Sequence, residues 1–237
     1  MDAAALAALW ATVAGPVGQL ARLPPPAPPE AVFSEAAAGR VGRMSLPGKG
    51  VGAWGLLPVP RELAWLAMTD DRLADDVESL TEVRLRGAWT QPKLIYQRLD
   101  LPWPFADRHW VLDVANTTVL AQQTGVWERA WTQDGDALAA VREKTDVALF
   151  DAAETLPHNR GNWLLVPVDS GHTLAIYQVW TDLGGSIPPA AVEAWVRASL
   201  SDLYADLTVH AAAVRARYGP GCDAQIGPDG KTIACHG

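Results

Sequence analysis

Asp169, Ser170 and His172 fall within five residues of one another, and these are the side-chain types of nucleophilic hydrolysis. Such a site is assembled by spatial geometry, not by adjacency in the chain. No G-x-S-x-G turn is present to expose a serine. Asp169–Thr173 lies between two apolar runs, so it reads as a turn. Gly50, Gly52 and Gly55 in GVGAWG have the spacing of a dinucleotide-binding loop. That chemistry needs a helix N-terminus directly afterwards to hold pyrophosphate. Leu56-Leu57-Pro58-Val59-Pro60 follows instead, so the glycines read as part of a strand pair. His109, His158, His172, His210 and His236 show no metal-ligand spacing. C-x-x-C is absent as well, so no zinc or other metal site is expected. The glycosylation sequon at Asn116-Thr117-Thr118 falls in a predicted strand and reads as incidental.

Cys222 and Cys235 are the two cysteines of the chain. They flank Gly227-Pro228-Asp229-Gly230, a strong turn signal. A hairpin centred there pairs Ile226 with Lys231 and Cys222 with Cys235, in register for a cross-strand disulfide. The alternative is a pair of buried thiols. A disulfide implies an oxidising compartment such as the periplasm; free thiols imply the cytoplasm.

The elements that must position any site follow from periodicity. Leu6, Leu9, Val13 and Leu20 recur at helical spacing in a run broken by Gly15-Pro16 and followed by the stiff Pro-rich stretch 23–31, which predicts a short amphipathic helix and a linker. That run is the stretch nearest to a membrane span, yet it is not a secure one. It lacks a basic start and does not read as a secretory signal. Two short strands around a glycine turn are predicted over 39–57, and a helix over 61–76. Strands follow at 82–89, 94–99, 109–119, 126–132, 147–154, 162–168 and 173–181. From Pro188 to Arg217, Val192, Val196, Leu200, Leu203 and Leu207 share one helical face. The boundaries separate a leader (1–31), a main domain (32–218) and a terminal hairpin (219–237). Antiparallel strands with segregated helices predict an α+β fold, a curved sheet gripping the long final helix.

Hydrophobic residues make up 49% of the 237 positions and charged residues 19%, a globular composition. The net charge of −8, with no basic cluster, argues against nucleic-acid binding and against strong attraction to anionic lipid.

Leu101, Trp103 and Phe105 alternate with Pro102 and Pro104. Prolines keep the segment out of a central strand, while its apolar side chains are unlike a solvated loop. This loop leads into Asp107-Arg108-His109-Trp110. Further on, Trp163 precedes Pro167 by four, and Asp182, Gly184, Gly185, Ile187 and Pro188 run into the final helix. Both blocks resemble the START family, the steroidogenic-acute-regulatory-related lipid-transfer domains of the helix-grip (SRPBCC) superfamily. Residues 67–85 are similar to that family's second helix and next strand.

The resemblance implies a helix-grip fold around one apolar tunnel and non-catalytic binding and transfer of a single hydrophobic ligand. It places ligand contacts at Trp110, Leu112, Val114, Trp163, Tyr177, Val179, Val196, Leu200, Leu203 and Leu207. Tyr96, Asn116, Tyr177 and Ser199 are candidates for a neutral hydrogen bond to the ligand. In some sterol-binding members a buried arginine lies six residues past the motif arginine; the matching residue here is Val114. The ligand is accordingly open among a sterol, another polycyclic lipid, a carotenoid and an acyl lipid. Leu101, Trp103 and Phe105 are expected to gate the tunnel and to touch a membrane transiently. No cofactor other than the bound lipid is expected, and the protein is expected to act as a monomer. Two other readings stand beside this one. A helix-grip enzyme of aromatase/cyclase or hydrolase type would draw on His109, Asp113 or His210. A ligand-free interaction module would have its interior packed solid.

Overall fold

Period-two alternation of side chains marks the strands between the terminal helices, and these strands build one curved sheet. The structure, a computed structural model, describes residues 1–48, 50–71, 79–185 and 187–235. Among these residues the strands are β1 (Gly42–Leu46), β2 (Gly50–Leu57), β3 (Leu80–Gly87), β4 (Lys93–Leu99) and β5 (Arg108–Asn116). They continue as β6 (Trp127–Gln133), β7 (Glu154–Thr155), β8 (His158–Pro167) and β9 (Thr173–Asp182). The sheet order is β1-β2-β9-β8-β6-β5-β4-β3. Every pair along that path is antiparallel, and two-residue β7 lies parallel to the start of β5.

Helices cover both faces. The helices are α1 (Ala3–Leu20), α2 (Glu30–Ala37), α3 (Arg61–Thr69), α4 (Thr118–Thr124), α5 (Gly135–Ala139), α6 (Val147–Ala152) and α7 (Pro189–Tyr218). On the concave face, Leu200, Tyr204, Leu207, Ala211 and Val214 of α7 pack with Ala53, Trp163, Leu165 and Ala175 of the sheet and with Trp65 of α3. Gly55 makes that approach possible. A Cβ there would lie 2.5 Å from the Tyr204 ring, whose hydroxyl donates to the Ala53 and Ala175 carbonyls at 2.9 and 3.0 Å. On the convex face, Leu6, Trp10 and Val17 of α1 and Val32 and Phe33 of α2 cover Trp54, Leu164 and Ile176.

The leader is therefore docked, and a buried polar cluster holds it. Glu128 accepts from the Arg22 and Leu23 amides at 2.9 and 3.3 Å and from Asn162 at 2.7 Å. Asn162 and Gln178 each donate to the Leu23 carbonyl at 2.9 Å. These donors satisfy a carboxylate that would otherwise be costly to bury. Helix α1 runs through Pro16 instead of stopping at Gly15-Pro16, because Val17 still has apolar sheet beneath it. It is long and apolar enough to cross a membrane by length and composition, yet Leu6 and Val17 are fully buried against the domain.

Three expectations need correction. Residues 147–152 are helix, not strand, because Asp146 caps the Ala148 and Leu149 amides at 3.0 and 3.1 Å. The strand expected over 109–119 ends at Asn116, and α4 follows, closed by left-handed Gly125. The C-terminal segment is not a hairpin with the cysteines in its strands. Cys222 sits in a 3₁₀ turn (Gly219–Ala224), and a single bridge pairs Ile226 with Thr232. The cysteines still meet: Cys222 and Cys235 form a disulfide with Cα atoms 5.8 Å apart. Of the helix expected over 61–76, the described part ends at Thr69, and 72–78 lies outside the described residues.

Candidate ligand-binding cavity

Strand parity decides which side chains face the helix. On β5, Trp110, Leu112 and Val114 face inward, while His109 and Val111 face the convex side. On β4 the inward set is Lys93, Ile95, Gln97 and Leu99, and on β6 it includes Arg129 and Trp131. With Trp163, Tyr177 and Val179 from β8 and β9 and Trp195, Val196, Ser199, Leu200 and Leu203 from α7, these residues line a cavity of about 540 Å³ that is partly open to the surface. The interior is not packed solid. Trp163 and Tyr177 form an aromatic wall, with ring centres 4.7 Å apart, and Trp131 extends it at 5.7 Å from Tyr177.

Ten expected residues thus line the cavity: Trp110, Leu112, Val114, Trp163, Tyr177, Val179, Val196, Ser199, Leu200 and Leu203. Three do not. Tyr96 faces the convex side, between inward Ile95 and Gln97, and packs with His109 and Phe150. Asn116 is used within the protein, donating to the Thr90 carbonyl and accepting from Arg129 at 3.2 Å. Leu207 is fully buried in the core beyond the cavity. The Ser199 hydroxyl donates to its own helix at the Trp195 carbonyl, 3.0 Å away. Burial pushes the Tyr177 hydroxyl well above its usual pKa, so it stays a neutral donor.

The expected tunnel wall is not purely apolar. Sequence reasoning missed the charged lining residues Glu82, Lys93 and Arg129, together with Asp70, Asp202 and Asp206. Burial, with Arg129 next in effect, pushes the Lys93 ammonium below its usual pKa, and the bond to Asp71 and the charge of Glu82 offset part of that; Lys93 also donates to the Thr69 carbonyl. Burial raises the Glu82 carboxyl, against a 2.6 Å hydrogen bond from Gln97. Arg129 is 5% exposed, and burial lowers its guanidinium to about 10, so it stays charged at neutral pH. The residues named for catalysis lie elsewhere: Asp113 is exposed, His109 is on the convex face, and His210 sits beside Arg217 on α7. Asp169 and His172 form an exposed turn joining β8 and β9.

The Pro-Trp-Pro loop sits at the other end of the cavity-lining strands. Leu101 packs with Leu99, Leu183, Val192 and Ile187, at the start of α7. Trp103 is 92% exposed, and Phe105 is half-buried. Asp107 clamps the loop by accepting from the Leu101 amide at 3.0 Å and from Arg98 at 2.5 Å. Arg108 ties this loop to the distant glycine turn. It donates to the Leu183 carbonyl at 2.5 Å and the Ala106 carbonyl at 2.6 Å, and pairs with Glu154 at 3.0 Å. Gly184 and Gly185, both left-handed at φ 64°, let the chain turn over that guanidinium.

Comparisons with known proteins agree with this geometry. No family model matches the chain. An uncharacterized protein of Pseudomonas aeruginosa is 30% identical over 102 residues, 43% of this chain and 42% of that protein. The chain thus matches less than half the length of that curated relative. Among solved structures, a fragment of the STAR-related lipid transfer protein of Xanthomonas axonopodis superposes with a TM-score of 0.56 at 18% identity, covering 73% of this chain and 92% of that one. Human StAR-related lipid transfer protein 5 gives 0.58 at 15% identity, covering 88% and 99%. Human STARD10 gives 0.57 at 10% identity, covering 72% and 67%. The chain has the helix-grip fold of the START domains.

Proposed function

We propose that the protein binds one hydrophobic molecule between its sheet and α7 and carries it, without chemical change, between membranes or partner sites. One observation carries this reading: a cavity of about 540 Å³ with a largely aromatic and aliphatic wall, where a helix on a sheet ordinarily packs shut. The lipid-transfer titles of structures sharing the fold support it. Hiding roughly 500 Å² of apolar ligand surface is worth about 12 kcal/mol at ~25 cal/mol/Å². Association costs of about 4–15 kcal/mol offset much of that, leaving room for micromolar or tighter binding. Trp103, exposed on the Pro-Trp-Pro loop, is the group that would meet a bilayer during exchange.

The ligand is a single hydrophobic small molecule, and the protein works as a monomer in an oxidising compartment. The Cys222–Cys235 bond supports the compartment. Native mass spectrometry of the purified protein, followed by organic extraction, tests the reading. One co-purifying lipid per chain, or uptake of one from vesicles by delipidated protein, is the expected result. A protein that holds no lipid and takes up none refutes it.

A further inference from the structure

Arg129 is the unexplained group of the cavity. Its side chain is buried, it lines the space between sheet and helix, and its Nη2 has no hydrogen-bond partner. Its Nη1 is used once, donating to Asn116 Oδ1 at 3.2 Å. A buried donor left unsatisfied is destabilising, and more so when it is charged. Nη2 is closed off from the cavity space in this arrangement, and a small shift of the side chain would bring it to an acceptor supplied from there.

The neighbouring charges do not supply it. Asp71 is engaged by Lys93 and by Arg84, the latter at 2.7 Å. Glu82 accepts from Gln97, and Asp70 accepts from Tyr218. Asp202 and Asp206 are exposed on α7, where solvent screens them. Arg129 makes no ion pair among the described residues. Lys93 is paired with Asp71, so among the described residues Arg129 is the lining cation left without a counter-ion, and an anionic ligand group would supply one.

Size and position narrow the ligand further. About 540 Å³ falls in the range of pockets that take one small ligand, a single chain or one compact ring system. Lys93, whose strand partner is Val114, and Leu99, next to the Pro-Trp-Pro loop, stand six residues apart on β4. At ~3.3 Å per residue that is about 20 Å, with Ile95 on the inward face between them.

We infer that Arg129 receives the carboxylate of a single-chain or compact amphiphile, held head inward with its apolar body running toward the Pro-Trp-Pro loop. This rests on the carrier reading above and adds the ligand's head-group class to it.

The test compares a fluorescent C18 polyene acid, cis-parinaric acid, with its methyl ester on the intact protein. The wild type should bind the acid about 10- to 100-fold more tightly, the range of one charge-assisted hydrogen bond. Arg129→Met should abolish that preference and leave ester binding within about three-fold. Equal binding of acid and ester by the wild type overturns the head-group assignment while leaving the carrier reading intact, and needs no variant. Equal weakening of both probes in Arg129→Met also overturns it, because the arginine would then be serving the wall alone. Binding of neither probe overturns this inference, and the carrier reading is then decided separately by the co-purification and uptake test above. Displacement of the acid by oleate, and more weakly by 1-oleoyl-lysophosphatidate, supports a carboxylate. The reverse order assigns the site to a phosphate and overturns the carboxylate.

Discussion

Asp107 shows how much one side chain fixes here. Burial favours its neutral form, but the Leu101 amide and the Arg98 guanidinium outweigh burial and hold the carboxyl below its usual pKa. A depressed carboxylate pKa contributes stability that is present above the unfolded value, about 4, and lost as pH falls through the folded one. Protection of the Leu101 amide against hydrogen exchange should therefore hold at pH 5 and above and fall as the solution is acidified below about 4. Asp107→Asn should show low protection at every pH. Protection unchanged in that variant would mean the loop is held by something else. At this scale the sequence was partly legible. Alternation placed Trp110, Leu112 and Val114 together on one face, as found. Tyr96 was named for its hydroxyl without regard to parity, and it lies one residue out of phase with the inward set of β4. Arg129 escaped notice for a physical reason. It follows Glu128 on β6, and both are buried, because helices cover the two faces of this sheet. When neither face meets water, polarity no longer tells inside from outside.

Elements add what single residues cannot. The Pro-Trp-Pro loop and the Asp-x-Gly-Gly turn are about 80 residues apart in sequence, and Arg108 joins them by reaching the Leu183 carbonyl. Loop and α7 start therefore form one mouth, with Leu101 packed inside and Trp103 left outside. An exposed tryptophan contributes little to stability but much to contact with an apolar surface. Placing one aromatic side chain in a bilayer interface is worth about 1.5–3 kcal/mol. Trp103→Ser together with Phe105→Ser should thus slow vesicle-to-vesicle transfer by about ten-fold or more. Equilibrium binding should change less, since neither side chain lines the cavity. A stopped-flow transfer assay beside an equilibrium titration separates the two, and an unchanged transfer rate would remove the loop from the exchange step. The mouth was readable because proline excludes a central strand, which left the apolar residues in need of another use. The segment 147–154 was misread because its apolar residues do not by themselves distinguish strand from helix; the Asp146 cap does.

At the scale of the whole molecule, two terminal segments close the ends of the grip. The leader lies on the convex face, fixed through Glu128, Asn162 and Gln178. The tail folds back beneath α7, where Ile233 joins the core with Cys222 and Cys235. Arg215 of α7 donates to the Cys235 carbonyl, and the Cys235 amide donates to Asp223 at 2.9 Å. The disulfide spans a separation of 13 residues. A loop of that length corresponds to about 3 kcal/mol in the chain-entropy account. Replacing both cysteines with serine should therefore lower unfolding stability by about 3 kcal/mol, read from a denaturant midpoint at constant slope. The cavity is built by other elements, among them β4, β5, β6, β8, β9 and the first half of α7, and among the described residues none past Asp206 lines it. Ligand affinity should consequently stay within about two- to three-fold of the parent at temperatures where the variant is folded. A variant of normal stability would mean that Ile233 and the polar contacts of the tail hold it without the bond. A variant that folds but loses ligand would mean that the tail sets the position of α7 over the cavity, and the division between a sheet-and-helix binding unit and a stabilising tail would have to be abandoned.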